Sequence, residues 1–446
     1  MKKTFLLSCL MLAAMPVMAA YTGHVYVDKN KNGVFDQSEK PLAGIKVSDG
    51  LNVVETAADG SFTLPGHERE RFIFITTPSG YKTFNRHYHK IEKKQSGYDF
   101  GLIPYSGRIR KNGSHRYIHI ADTEIFNTEN HADWVNNVRD YARNEQAAFI
   151  IHTGDICYEK GLKAHIKLMN TENMDCPVFY CIGNHDLVKG KYGEELFESI
   201  YGPVYYSFDA GNVHYVVTPM PGGDHAPGYT SDDVCRWLKN DLAHIRPGTP
   251  VVVFNHDLLT YEDTFIFKSK NAGSINLNEY NLKAWVYGHW HINYMKKQGD
   301  VYSVCTSSLD KGGIDHSTTA FRVMHVDSKG DFTSELRYTY LDKNICIASP
   351  AGVMASGVLP VAVNVYSSVS PVREVLYTCL ADGKPVLKNK RLLQSTDWSW
   401  NGELPLSHKY VGKELTLRVT ARFNNGEIAE AESNFICRTE KTVPLF

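Results

Sequence analysis

The sequence predicts an α/β central domain flanked by two all-β sandwich domains, and three patterns carry that prediction. From about Arg116, short apolar strands alternate with helix-patterned segments, which argues for β-sheet packed with helices. Residues 21–105 hold only short β-rich runs, separated by turn pairs such as Asp49-Gly50 and Asp59-Gly60. Roughly the last ninety residues return to strand-like runs. With 446 residues the chain is too long for one compact core.

In chain order, residues 1–20 read as a secretory signal peptide. Two lysines precede an apolar run and a small-residue end, with Val17-Met18-Ala19 as the cleavage site. Leu6 to Cys9 hint at a lipoprotein cysteine, but the apolar run before Cys9 is too short for a leader, so lipid anchoring is not expected. No later apolar stretch is long enough to span a bilayer, and the expected location is secreted, in the periplasm. A net charge of −1 without a run of Lys or Arg gives no nucleic-acid surface. Nine cysteines include no CxxC, which excludes a zinc ribbon or a thioredoxin-type site. Cys379 and Cys437 share one segment and either pair or remain buried thiols.

Residues 21–105 form the first β-sandwich module. Its strands are expected at "HVYV", "IKVSD", "VVETA", "SFTL" and "RFIFITTP". Among them "DKNKNGVFDQSE" fits D-x-[DN]-x-[DN]-G-x5-E. Asp28, Asn30, Asn32, Asp36 and Glu39 would supply side-chain oxygens, Val34 a carbonyl, and Gly33 the sharp turn. Strands rather than helices flank it, so it is no EF-hand. It resembles the calcium loops of B-type modules in bacterial surface adhesins, which implies a structural Ca ion. A polar hinge, "SGRIRKNGSH", leads to the central domain at 113–345, built around a largely central sheet. A second hinge, "ASPAGVMASG", leads to the last sandwich at 352–446.

Several central strands end alike. Asp122 and Glu124 follow "YIHI", Asp155 follows "FIIHTG", and Asn184-His185-Asp186 follow "VFYCIG". His256 follows "VVVFN", and His289 and His291 follow "WVYG". Ligands of α/β sheets gather at the carboxyl ends of strands, so five such ends can converge on one point. Any one of these residues alone is more simply a hydrogen-bonded histidine or a turn asparagine. Asp122 and Glu124 stand two apart, and adjacent carboxylates repel unless a cation lies between or beside them. Imidazole and carboxylate donors without thiolate suit Mn, Fe or Zn.

These blocks resemble the calcineurin-like metallophosphoesterase superfamily, whose motifs are D-x-H, G-D, G-N-H-D/E, a lone H after a strand, and G-H-x-H. Here they stand as "DTE", Gly154-Asp155, Gly183 to Asp186, His256, and Gly288 to His291. The resemblance spans about 230 residues and extends, more loosely, to secreted bacterial members with terminal β-modules. It implies a dinuclear phosphoester hydrolase in which two transition-metal ions supply a bridging hydroxide for in-line attack on phosphorus. Asp122, Glu124, Asp155 and His291 would hold one ion, with Asp155 bridging to the other. Asn184, His256 and His289 would complete the second set. His185 would assist the leaving group, and Asp186 would orient His185.

Glu124 departs from the family pattern, which has His or Gln there. It adds a third carboxylate, lowers the net charge of the centre, and weakens its attraction for a dianionic monoester. Tyr158, Trp290 and Lys311 lie just beyond the blocks, as loop residues or as contacts to substrate. The expected partner is a phosphorylated small molecule, glycan or lipid head group. The alternative is a glycan- or surface-binding protein built on a catalytically weakened phosphoesterase scaffold.

Overall fold

A computed structural model describes residues 20–95, 97–341 and 343–439. The signal peptide expected over residues 1–20 lies, apart from Ala20, outside the described residues. Among them, no helix is long and apolar enough to cross a membrane.

The N-terminal residues form two sheets around one core. Tyr21–Val27 pairs antiparallel with Lys40–Pro41 and with Ser61–Leu64, and parallel with Phe100–Pro104, which in turn pairs with Tyr81–Thr83. The second sheet runs Val53–Glu55, Lys46–Ser48, Phe72–Ile75, Tyr88–Lys90. Val25, Val47, Phe62, Ile73, Ile75 and Phe100 share the interior between them. "FIFI" is apolar throughout because both faces of that strand are covered. Ile73 and Ile75 point into this core, while Phe72 and Phe74 join the core of the central region.

The central strands do not form one sheet. Val178–Tyr180, Phe149–His152 and His115–Ile120 run parallel and continue antiparallel into Ala320–Val326 and Phe332–Tyr338. A second sheet has Val213–Val217, Val251–Phe254, Leu282–Tyr287 and Val301–Cys305 parallel, with antiparallel strands Tyr206–Ala210 and Tyr294–Gln298 at its edges. Apolar alternation shows which residues of a strand are buried but not which sheet the strand joins. Tyr117, Phe149 and Phe179 of the first sheet meet Phe208, Tyr215 and Phe254 of the second in one aromatic core. On the other face of the first sheet, Ile118, Ile120 and Ile150 pack against Trp134 and Val138 of the helix Ala132–Asn144 and against Leu162 of the helix Tyr158–Leu168. The helix Ser231–Ala243 starts on a capping box between Thr230 and Asp233 and sets Trp237 and Leu238 into the aromatic core.

The C-terminal residues again form two sheets around a single core. Cys379 and Cys437 do not pair. Strand Glu414–Phe423 lies between their strands, and two inter-strand steps of about 4.8 Å exceed the reach of a disulfide. All eight cysteines among the described residues are free.

Buried charge joins the N-terminal and central parts. Thr77 O accepts from Asp209 N at 2.8 Å, and Thr76 Oγ1 meets Ser207 Oγ at 2.9 Å. Ser207 Oγ donates to Asp241, and His214 bridges Asp209 Oδ1 and Asp241 Oδ2 at 2.7 and 2.8 Å. Burial opposes the charged ring, but Asp241 and Asp209 outweigh it and raise His214 to about 9. A histidine raised above its unfolded value of about 6.5 contributes its full stability below that pH and loses it as pH rises through the folded value. The melting temperature should therefore fall as pH is raised from neutrality through about 9. His214→Gln should melt lower at neutral pH and show a flatter decline over that range, by scanning calorimetry.

Candidate metal centre

The polar strand ends come from both central sheets. Asp122, Glu124, Asp155 and Asn184 follow parallel strands of the first, and His256, His289 and His291 follow parallel strands of the second. The centre lies where the carboxyl edges of the two sheets meet. The chain turns sharply there: Asp122, Glu124, Asp155, His289 and His291 have φ of 51°, 44°, 54°, 64° and 51°. Side chains other than glycine hold this left-handed conformation at a cost of about 1–3 kcal/mol each, and such residues cluster at functional sites. Backbone bonds fix the turns, with Asp122 N donating to Gly154 O and Glu124 N to Asp155 O.

His256 Nδ1 donates to Thr153 O at 2.7 Å, which turns the bare Nε2 toward Asp155 Oδ2 and Asn184 Oδ1, each at 3.1 Å. A lone pair and two oxygens aimed at one another need a proton or a cation among them. On the other side of Asp155, His291 Nε2 lies 3.5 Å from both Asp122 Oδ1 and Glu124 Oε1. Asp155, His256 and His289 bring ligand atoms within 4.8 Å of one another, as do Asp122, Asp155 and His291. Asp155 thus belongs to two donor groups. A further group of the same kind joins Glu124, Asp155 and the buried Cys157.

Burial pushes the Asp122 carboxyl well above its usual range, with His256 opposing and Asp155 adding. Burial also works against Asp155, but His256 outweighs it and holds that carboxyl low. For His256, burial is overcome by Asp155 and then Asp122, which raise the ring to about 9. Buried groups that shift one another's protonation so strongly form a site tuned to hold positive charge.

Residues 29–104 match the family described as the N terminal of calcineurin-like phosphoesterase, and residues 115–293 match calcineurin-like phosphoesterase itself. Together the two matches cover more than half of the chain. The chain belongs to the calcineurin-like phosphoesterases. Purple acid phosphatase 13 of Arabidopsis thaliana is 26% identical over 215 residues, a match covering 45% of this chain and 36% of that protein. The chain therefore spans about a third of the length of this curated relative. Among solved structures, an archaeal phosphodiesterase is 13% identical with a TM-score of 0.26, covering 50% of this chain and 99% of that one. Vacuolar protein sorting 29 of Cryptosporidium parvum is 10% identical with a TM-score of 0.27, covering 66% and 98%.

In this family member the expected partner of His185 is replaced by another. Asp186 is fully buried, and its two oxygens accept from Cys157 N at 2.8 Å and Gly183 N at 2.9 Å. Burial and Asp155 raise it to about 7. Asp186 ties two loops together and does not orient His185. His185 Nδ1 instead meets Asp224 Oδ2 at 2.9 Å, and His185 N donates to Asp155 Oδ1 at 3.0 Å. Burial disfavours the charged ring, but Asp224 and Asp155 raise its pKa. Asp224 lies in the loop before the helix Ser231–Ala243, with no motif around it, so sequence alone offered no signal for it.

Lys311 Nζ reaches Glu124 Oε2 at 2.6 Å and Glu124 O at 3.2 Å. The Tyr158 hydroxyl lies 3.5 Å from His185 Nδ1, and Tyr158 stacks on Phe126 with both rings largely exposed. Trp290 Nε1 donates to Asp257, and its ring stacks on Tyr261. The glycines of the blocks are set by close approach. A Cβ on Gly183 would stand 2.2 Å from Asp155 Oδ1, and one on Gly288 2.7 Å from Asp122 Oδ2. Gly183→Ala should displace Asp155 at an overpacking cost of about 1–3 kcal/mol. Thermal unfolding and metal titration by calorimetry should show a lower melting temperature and weaker metal binding than in the wild type.

Proposed function

We propose that this chain is a secreted, two-metal phosphoester hydrolase. The observation that carries this reading is Asp155, one buried carboxylate shared by two groups of convergent nitrogen and oxygen donors. Asp122, Asp155, His291 and Glu124 would hold one ion, and Asp155, Asn184, His256 and His289 the other. Their N and O donors suit Mn, Fe or Zn. When bound, two such ions would neutralise phosphoryl charge and make water nucleophilic near neutral pH.

The chain's own residues supply the rest. His185, held through Nδ1 by Asp224, is placed to give a proton to the leaving oxygen. Asp155 accepts from the amide of that same residue, which ties the proton donor to the carboxylate shared by the two donor groups. Three carboxylates crowd the centre, and the Lys311 ammonium beside Glu124 returns one positive charge. That pairing offsets the charge Glu124 adds and supports a working centre over an inert scaffold. The substrate is a phosphorylated small molecule, glycan or lipid head group, and the leader-like residues 1–20 support export to the periplasm.

A structural calcium in the N-terminal turn accompanies this reading. Asp28 and Glu39 are buried, and their oxygens accept from Asn32 N, Gly33 N, Lys29 N and Asp36 N. The amides of Asn30 and Asn32 gather on Asp36, and Val34 stands exposed on the turn. The Tyr26 hydroxyl is buried without a hydrogen-bond partner, and burial, Asp28 and Glu39 hold its pKa far up. The carboxylates of Asp28, Asp36 and Glu39 are the charged groups that would answer a calcium ion.

Hydrolysis of p-nitrophenyl phosphate and its bis-ester, with Mn or Zn added, tests the enzyme. Turnover of at least one ester is expected. His185→Ala should keep the metal while cutting turnover by about 10²–10⁴-fold. Asp155→Ala should lose both metal and turnover, and wild-type activity in that variant would refute the centre. Calcium should raise the melting temperature of the full chain and not that of Asp28→Ala; a wild-type melt indifferent to calcium and chelator would rule the ion out.

A further inference from the structure

The N-terminal module reaches the active-site loop through a chain of ion pairs and hydrogen bonds built around the buried Glu194. Arg71 stands just before the module strand Phe72–Ile75. Its Nη2 lies 2.7 Å from Glu194 Oε1 and 2.8 Å from Glu198 Oε1, and its guanidinium covers the ring of Tyr192 at 4.6 Å. Glu194 is fully buried. Beyond Arg71, its carboxylate accepts Gly228 N, at 2.9 Å on Oε2 and 3.1 Å on Oε1. Arg69 of the same module donates to Gly228 O. Gly228 ends the loop that carries Asp224. At its other end this loop lies against the catalytic segment, with Asp224 N donating to Asn184 O at 3.0 Å and Asp224 Oδ2 on His185 Nδ1. Between the two ends, Gly193 N donates to Ala226 O at 2.8 Å.

We propose that the N-terminal module is a positioning element of the hydrolase: Arg71, through Glu194 and Gly228, holds loop 221–228 so that Asp224 keeps His185 in one orientation. This rests on the hydrolase reading above. The physical reason lies in Glu194. A carboxylate so deeply buried needs a cation or donors around it, and besides Gly228 N the charge comes from Arg71, the cation within ion-pair distance among the described residues. Without Arg71 the carboxylate loses its ion pair and is free to move away from Gly228 N, which alters its bonds to that amide. The loop then loses its anchor four residues from Asp224. The carboxylate no longer holds Nδ1 at a fixed distance, and His185 samples other rotamers. Arg71 touches no reacting atom, so the loss should appear in turnover and not in substrate affinity.

The test uses the full chain with the metal that supports turnover of either p-nitrophenyl ester. Arg71→Met should lower kcat by about 10- to 100-fold, with KM and bound metal near wild type. Arg71→Lys should restore most of the loss. In a His185→Ala background, Arg71→Met should change kcat little, because the residue through which it acts is gone. Amide exchange over residues 221–228, followed by mass spectrometry without metal, should be faster in Arg71→Met than in wild type. Should Arg71→Met not fold, Gly228→Ala perturbs the same clamp from the loop side, its Cβ falling 2.9 Å from Arg71 Nη1 and 3.0 Å from Glu194 Oε1, and the same pattern is expected. An undiminished kcat, or a loss of equal size in the His185→Ala background, overturns the positioning role while leaving the hydrolase intact. A wild type inert toward both esters overturns the hydrolase reading itself.

Discussion

The centre depends on one constraint: Asp155 must sit, buried, where the carboxyl edges of two sheets meet. Its side chain faces His256 from one sheet and lies within reach of Asp122 and His291, while its backbone holds Glu124. A buried carboxylate costs several kcal/mol unless positive charge or donors surround it. His256 and the His185 amide supply part of that compensation. The left-handed turns at Asp122, Asp155, His289 and His291 gather at this same point, as strained backbone tends to do at functional sites.

Charge is balanced locally throughout the central region. Lys311 answers Glu124, Asp224 answers His185, and Asp209 and Asp241 answer His214. Asp186 has no such ion-pair partner among the described residues: it is held by two backbone amides, and burial and the nearby Asp155 raise its pKa. Its place in the motif beside His185 suggests chemistry, whereas its contacts show a brace between loops.

The N-terminal module is more than an appendage. One of its sheets is covered on both faces, by its own partner sheet through Ile73 and Ile75 and by the central core through Phe72 and Phe74. Buried polar links at Thr76, Thr77 and Arg71 add direction to that apolar contact. Hydrophobic burial brings the two parts together, and the hydrogen bonds and ion pairs fix how they meet.

Residue order alone determined the polar strand ends, the segments that become helices, and the turn-rich β character of both ends. These are legible because periodicity and turn chemistry act over a few neighbouring residues. The convergence of Asp122, Asp155, Asn184, His256, His289 and His291 was legible as well, since each follows an apolar strand and parallel strands present their ends on one side. Only the tertiary structure decided that the strands divide between two sheets, that Cys379 and Cys437 stand apart, that Asp224 rather than Asp186 meets His185, and that Lys311 faces Glu124. Each of these joins residues far apart in the chain by side-chain contact, and nothing local in the sequence records which distant charge a buried group will find.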